Sequence, residues 1–373
     1  MNVLMMVTWY SPADAETIQA GVFHYEQSMD LKRYCNVALY YPYDEQMKED
    51  FSAGEEKGLL TFRTKMEPGR GLTNKLHIFR DFKKIRESFR PDIIHAHVAP
   101  GAGIYAVLLG KRYGIPVVLT EHNPVGLAGY ENKVTRMIAG YVYSHTRFNA
   151  CVSRNSQEEL SRMFPKAKFE IVYNGVIPPE LSEEKTDYYK EGYVNISIVA
   201  TFYSEWVKGY QFLLPAIREL TEQGYKIMLH IVGGGIYMEK YRKMAEELGI
   251  SPVCIFYGNC ERKKVYDIMA QMDFGISASL IECSGVSVQE AMMLGKPMVV
   301  TKSGGANSLV TPQTAIVVEK ESVQAIVDGI KEMIARREEF REEEIRQYAY
   351  RNFEIGEISK RYMEIYETVL STG

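Results

Sequence analysis

Residues 277–300 read SASLIECSGVSVQEAMMLGKPMVV. A strand-like run, FGISAS (274–279), enters the stretch, and an apolar helix-forming run follows the turn. A second strand-like run, PMVVT (297–301), comes next. That order is a unit of parallel sheet with its crossover helix. Glu282 and Glu290 frame the turn, with Gly285 and three Ser or Cys residues between them. A helix starting near Gly285 offers the amides of Gly285, Val286 and Ser287 as an anion-binding end. The carboxylates then suit sugar hydroxyls at either side, since a vicinal diol can donate twice to one carboxylate. Spacing alone leaves Glu282 equally a loop acid and Glu290 a helix-surface acid.

Outward from this unit the same pattern recurs. Apolar runs fall at 2–8, 92–97, 116–122, 169–175, 194–201, 226–234, 253–258, 274–279, 297–301 and 315–318. Most are continuous, as strands buried on both faces should be. Helical patterns lie between them, at 209–223, 237–248, 261–271 and 322–337. The 373 residues exceed one ordinary domain, and 46% apolar content suffices for two cores. The acidic, proline-bearing stretch 178–192 reads as the linker between two doubly wound α/β domains. A net charge of −4 gives no drive toward nucleic acid. Five scattered cysteines without a CxxC pair read as reduced thiols in a cytosolic protein. The N-terminus reads as a first buried strand rather than a signal peptide, and no apolar run is long enough to span a bilayer.

Ligands of such sheets bind beyond the carboxyl ends of the strands. After the first strand, Gly21 sits where a helix begins, either as a plain loop glycine or as a point of close backbone approach. His95, His97, His122 and Asn123 follow later strands, and the histidine spacing matches no metal motif. His95 reads as a packed strand residue, and His97 and His122 as ligand-facing. Lys208 and Gly209 precede an amphipathic helix. A lysine there opposes the helix dipole unless an anion is bound. IVGGG (231–235) lacks the spacing of a phosphate loop and reads as a tight strand-to-helix turn. Residues 72–90 place Leu72, Leu76, Phe79, Phe82, Ile85 and Phe89 on one face of a helix and basic residues off it. They read as a sheet-covering helix first and a membrane-surface helix second.

Taken in order, these stretches resemble family 4 glycosyltransferases, retaining enzymes of GT-B fold. The family signature has two glutamates separated by seven residues, followed by Gly-x-Pro-x-Val. Here it stands as ECSGVSVQEAM and GKPMVVTKSGG. QAGVF, DIIHAH, TEH, CVS, VYNGV, VKG, IVGGG and FYGNCERKKVYDIMAQMDFGISAS resemble further family marks. FEIGEISKRYMEIYETVL resembles a terminal helix that crosses back to the first domain.

The resemblance implies two Rossmann-like domains facing a central cleft. The acceptor-side domain would span 1–180, with helix 357–373 packed back on it, and the donor-binding domain 181–356. Lys208 would contact the donor diphosphate, and Glu290 would hold the nucleotide ribose. Glu282 and the Ser284, Gly285, Val286 and Ser287 amides would meet the donor sugar and phosphates. Gly21 would approach the diphosphate, and Gly258, Asn259 and Cys260 would border the base. His122 would lie beside the donor sugar, with His97 and Asn123 on the acceptor side. The implied substrates are a nucleotide sugar and a glycan or lipid-linked acceptor, with no cofactor and no metal. The implied setting is the cytoplasm, with residues 72–90 as a peripheral contact to the inner membrane face. Thr201 stands where many members carry arginine, Ala20 where many carry a first glycine, and Cys283-Ser284 where Gly-Phe is common. A GT-B epimerase and a weakened nucleotide-sugar binder are the alternatives.

Overall fold

The computed structural model describes the backbone of residues 1–11, 21–67, 71–183 and 186–372, and their side chains except those of 71–75. Ala20, Glu184, Lys185 and the side chains of Leu72 and Lys75 lie outside the described residues. The chain divides into two compact units, Met1–Gly175 with the stretch from Ile355, and Val176–Glu354.

The first unit is built on β1 (Asn2–Met6), β2 (Asn36–Asp44), β3 (Phe51–Glu56), β4 (Leu59–Lys65), β5 (Ile93–His97), β6 (Val117–Glu121), β7 (Phe148–Cys151) and β8 (Glu170–Ile171). Their order is β3-β4-β2-β1-β5-β6-β7-β8, parallel except for β3 against β4. Among the described residues, five α-helices lie between these strands: α1 (Val22–Leu31), α2 (Gly71–Ser88), α3 (Ile104–Tyr113), α4 (Lys133–Tyr143) and α5 (Arg154–Met163). The apolar runs make strands because a sheet covered on both faces buries every side chain. Val3, Leu4, Met5 and Met6 are all fully buried.

The second unit contains β9 (Val194–Val199), α6 (Tyr210–Glu222), β10 (Ile227–Val232), α7 (Met238–Glu247), β11 (Cys254–Gly258), α8 (Arg262–Gln271) and β12 (Phe274–Ser277). Then follow α9 (Val286–Met293), β13 (Met298–Thr301), β14 (Ala315–Val318), α10 (Val323–Arg336) and α11 (Glu342–Phe353). Its strand order is β11-β10-β9-β12-β13-β14, all parallel. Strand order reverses between β9 and β12 here, and between β1 and β5 in the first unit. Ligand crevices form at such reversals, because the two flanking connections leave in opposite directions.

The last helix, α12 (Ile355–Ser371), belongs to the first unit. Ile358, Tyr362, Ile365, Tyr366 and Val369 join Val3, Met5, Val7 and Leu39 in one core. Tyr362 and Tyr366 also bond inward, to Thr120 Oγ1 at 2.8 Å and His95 Nδ1 at 2.6 Å.

Two sequence expectations change, and the first reading of residues 72–90, a sheet-covering helix, holds. The strands β2, β3, β4 and β7 were not legible as continuous apolar runs, and 169–175 holds only the two-residue β8. The stretch 178–192 is tied to the second unit: Ser182 N donates to Asp267 Oδ1 at 2.9 Å, and Tyr188 N to Gln271 Oε1 at 2.9 Å. The apolar face of α2 covers the sheet. Ile78, Phe82, Ile85 and Phe89 are buried in the core, which leaves this face unavailable to a membrane. Leu76 instead points to solvent, 63% exposed. Among the described residues, no helix is long and apolar enough to cross a membrane.

Candidate active site

In the second unit, Gly209 caps α6 in the left-handed region, at φ 71°. A Cβ there would fall 1.8 Å from the Ala278 carbonyl oxygen. Only glycine lets the start of α6 approach the end of β12 this closely. Leu280 N donates to Val207 O at 2.8 Å and fixes the approach. Lys208 is thereby delivered to Glu282, with Nζ to Oε1 at 2.5 Å, and Ser279 Oγ donates to the same oxygen at 2.9 Å. Glu282 is pinned through its backbone: its N donates to Ser303 O and its O accepts from Gly305 N. Both side chains keep some exposure, 24% for Lys208 and 19% for Glu282.

The turn between the glutamates leads straight into α9. Gly285, at φ 121°, caps the helix and accepts from Val288 N and Gln289 N. Val286 and Ser287 sit in the first turn, where amides have no helical carbonyl to meet. The Ser284 and Ser303 hydroxyls are buried and have no partner among the described residues. Amides, helix dipole and two waiting hydroxyls make this end suited to a phosphate.

Glu290 lies on α9 and is buried. Its Oε1 accepts from Tyr266 OH at 2.9 Å and from Arg262 Nη2 at 3.2 Å. Burial, then the neighbouring Glu290, raise the Tyr266 phenol above its ordinary value, so it donates at neutral pH. Arg262 follows Gly258–Cys260 by two residues, so the end of β11 and the Glu290 carboxylate are brought together through α8. Lys320 Nζ donates to Leu280 O at 3.0 Å, two residues before Glu282. Arg262, Tyr266 and Lys320 were not singled out from the sequence. Their signal was confined to strand and helix ends far along the chain. The glycines of 233–235 serve packing. A Cβ at Gly233 would meet Ala200 O at 2.2 Å, and one at Gly234 would meet Asn259 Oδ1 at 2.5 Å.

The first unit gathers histidines. His24, His97 and His122 present ring nitrogens within 4.8 Å of one another. His97 Nδ1 and His122 Nε2 are 2.8 Å apart. Both His24 nitrogens and His97 Nε2 are buried without partners among the described residues. Burial lowers the pKa of His122 to about 3 and holds His24 and His97 well below the usual imidazole range, so all three are neutral, the form that binds metals. This is the group with metal-ligand chemistry among the described residues. Chain spacing hid it, because His24 comes from α1 and the others from strand ends.

His95 is buried between Tyr366 and Thr120, as a packed strand residue. Gly21, at φ 69°, starts α1 beside this group, and a Cβ there would lie 2.8 Å from Trp9 O.

Glu121 organises the loop that carries His122 and Asn123. Its carboxylate is fully buried. It accepts from His122 N and Asn123 N at 3.0 Å, from Ala99 N at 3.0 Å and from Tyr143 OH at 2.8 Å. Burial raises its pKa, and these donors oppose the rise. Val98, directly after His97, holds φ 75°, a strained state for a β-branched residue. The Glu121 bond to Ala99 N holds that turn in place.

Two family models match the chain. That of Glycosyltransferase Family 4 matches residues 31–180, and that of glycosyl transferases group 1 matches residues 191–352. An uncharacterized glycosyltransferase of Methanocaldococcus jannaschii is 26% identical over 271 residues, 72% of this chain and 73% of its own length. Sucrose-phosphate synthase from Thermosynechococcus elongatus superposes with a TM-score of 0.81 at 14% identity, over 100% of both chains. HepE of Anabaena, solved in complex with UDP, superposes with a TM-score of 0.77 at 16% identity, over 99% of this chain and 100% of its own. At these identities the structural likeness is one of fold.

Proposed function

The chain belongs to glycosyltransferase family 4 and has the GT-B fold, and from that premise we propose retaining transfer of a hexose-type sugar from a nucleotide-diphosphate sugar to a hydroxyl of a glycan or lipid-linked acceptor. One observation carries the proposal. Lys208 and Glu282 meet at 2.5 Å where β9 and β12 diverge, beside the amide end of α9 and the unpartnered Ser284 hydroxyl.

The roles follow from charge. Lys208 and the α9 amides hold the donor diphosphate. Glu290, already accepting from Tyr266 and Arg262, has the acceptor capacity to take ribose hydroxyls. Glu282 exchanges its contact with Lys208 for the donor sugar once a phosphate arrives. The anomeric carbon–oxygen bond breaks first, and the electron pair leaves with the diphosphate. Fixed cation and dipoles stabilise that charge with little reorganisation. The acceptor hydroxyl attacks from the same face, and the departing phosphate takes its proton. Lys208 and the amides do the neutralising work here, so the proposal includes no metal. Uridine nucleotides are the first donors to try, since UDP is bound by a structural neighbour.

The test is thermal stabilisation of the full chain by UDP, GDP and ADP and their sugars, followed by nuclear magnetic resonance of the product's anomeric proton. One nucleotide series should raise the melting temperature, and Glu290→Ala should abolish the response. Inverted product would overturn the retaining mechanism. Failure of every nucleotide to bind would overturn the donor site. Binding without turnover would leave a nucleotide-sugar binder.

A further inference from the structure

We propose that a tyrosine-lined cavity in the first unit binds the sugar ring of an uncharged glycoside, and that this glycoside is the acceptor. Its acceptor role rests on the transferase function proposed above.

The cavity, of about 530 Å³, opens at the ends of β1, β2 and β4. That volume is within the range of small-molecule sites, about 300–1,000 Å³. Tyr10, Tyr41, Tyr43 and Tyr105 line it. Their rings form a continuous series, with centroids 6.4 Å apart for Tyr10–Tyr41, 6.5 Å for Tyr41–Tyr43 and 6.1 Å for Tyr43–Tyr105.

The series is braced by a buried cation. Arg63 is fully buried, with its Cζ 5.2 Å from the Tyr10 centroid and 5.8 Å from that of Tyr41. Its charge is answered by Asp44 at 2.6 Å and Glu56 at 2.7 Å. Arg63 therefore fixes the rings without offering charge to the cavity. A shift of register between Tyr41 and Asp44 in β2 turns Asp44 toward it.

The chemistry of the walls selects the occupant. Pyranose rings present apolar C–H faces and hydroxyl edges. Rigid tyrosine rings suit the faces, and their hydroxyls suit the edges. Exposed Glu45 and Gln46 at the rim add acceptors for sugar hydroxyls. Among the described residues, the lining carries no Lys, Arg or His. An anionic headgroup would meet exposed Glu45, while the nearby Arg63 is buried and already paired with Asp44 and Glu56, and like charges repel.

The cavity also adjoins the histidine group. Thr8, in its wall, donates to His97 O at 2.6 Å. A ring held against the tyrosines thus lies next to the turn that carries His97.

The test is ligand-observed saturation-transfer resonance on the full chain. The probes are methyl hexosides and N-acetylhexosaminides, against methyl hexuronides and glycerophosphoinositol. Uncharged glycosides should receive saturation and the anions should not. Tyr105→Ala should weaken glycoside binding about tenfold. Exposed Glu45→Gln, which keeps the fold in play if Tyr105→Ala misfolds, should let the anions bind. With the donor established, Tyr105→Ala should raise the KM for acceptor more than that for donor. Preferential binding of the anions, glycoside binding insensitive to Tyr105→Ala, or continued exclusion of the anions by Glu45→Gln overturns the proposal. Glycoside binding without any nucleotide binding would instead sink the transferase reading and leave the cavity assigned as a sugar site. Nucleotide binding without glycoside binding would sink the cavity alone.

Discussion

Acidification should destabilise this chain chiefly through its first unit. His24, His95 and His97 are fully buried there. Burial lowers His95 to about 3 and holds His24 and His97 well below 6.5. On unfolding each returns to about 6.5. The folded values are depressed, so the unfolded chain binds more protons. Stability is therefore complete above about 6.5 and declines as pH falls, down to about 3 for His95. From pH 7 to pH 5 each imidazole costs about 2 kcal/mol, and these three with His122, which burial also lowers to about 3, together cost about 8 kcal/mol. That is a large share of an ordinary stability of about 5–15 kcal/mol.

The chain has two tryptophans, Trp9 in the first unit and Trp206 in the second. Trp9 packs near His24 and His122, with ring centroids 5.7 and 6.4 Å away. In a Trp206→Phe variant, urea unfolding followed by Trp9 fluorescence should lose about 8 kcal/mol between pH 7 and pH 5. In Trp9→Phe the second unit, with His230 lowered to about 4 by burial, should lose about 2 kcal/mol if it unfolds by itself. A loss below about 2 kcal/mol at the Trp9 reporter would refute the neutral, buried histidine group.

Three substitutions probe the sites directly. Gly209→Ala should lower stability by more than about 2 kcal/mol in denaturant unfolding, because its Cβ would strike the Ala278 carbonyl in a left-handed backbone. Glu121→Gln should cost about 3 kcal/mol, since an amide nitrogen would face donors now bonded to a carboxylate; a shift under about 1 kcal/mol counts against that account. Lys208→Ala should cut nucleotide release from the donor by about 10²–10³, with little change in melting temperature, because the pair it breaks is partly solvated.

The residues proposed for the donor side stand out in the sequence because their signal is local. A turn glycine, a helix end and two acids with seven residues between them stand together in ECSGVSVQE, and a lysine stands next to a helix-capping glycine in VKG. Strands such as β9 and β13 were legible because burial on both faces demands unbroken apolar runs. β2 was not, since NVALYYPYD carries a proline and polar hydroxyls that only its neighbours account for. Tyr40 OH bonds Thr64 Oγ1 at 2.8 Å, and Asp44 meets buried Arg63.

The sequence by itself determined two α/β halves, the turns between their strands and helices, and the family. Those follow from hydrophobic period, capping chemistry and motif order, which are properties of neighbours in the chain. Only the tertiary structure decided that Lys208 meets Glu282 across 74 positions, and that His24 joins His97 and His122. It also decided that Arg63 is buried behind the tyrosines. Each of these pairings depends on strand order, above all on β9 lying beside β12 and β1 beside β5. Strand order is set by the joint packing of all the crossover helices, and no single stretch of sequence encodes it.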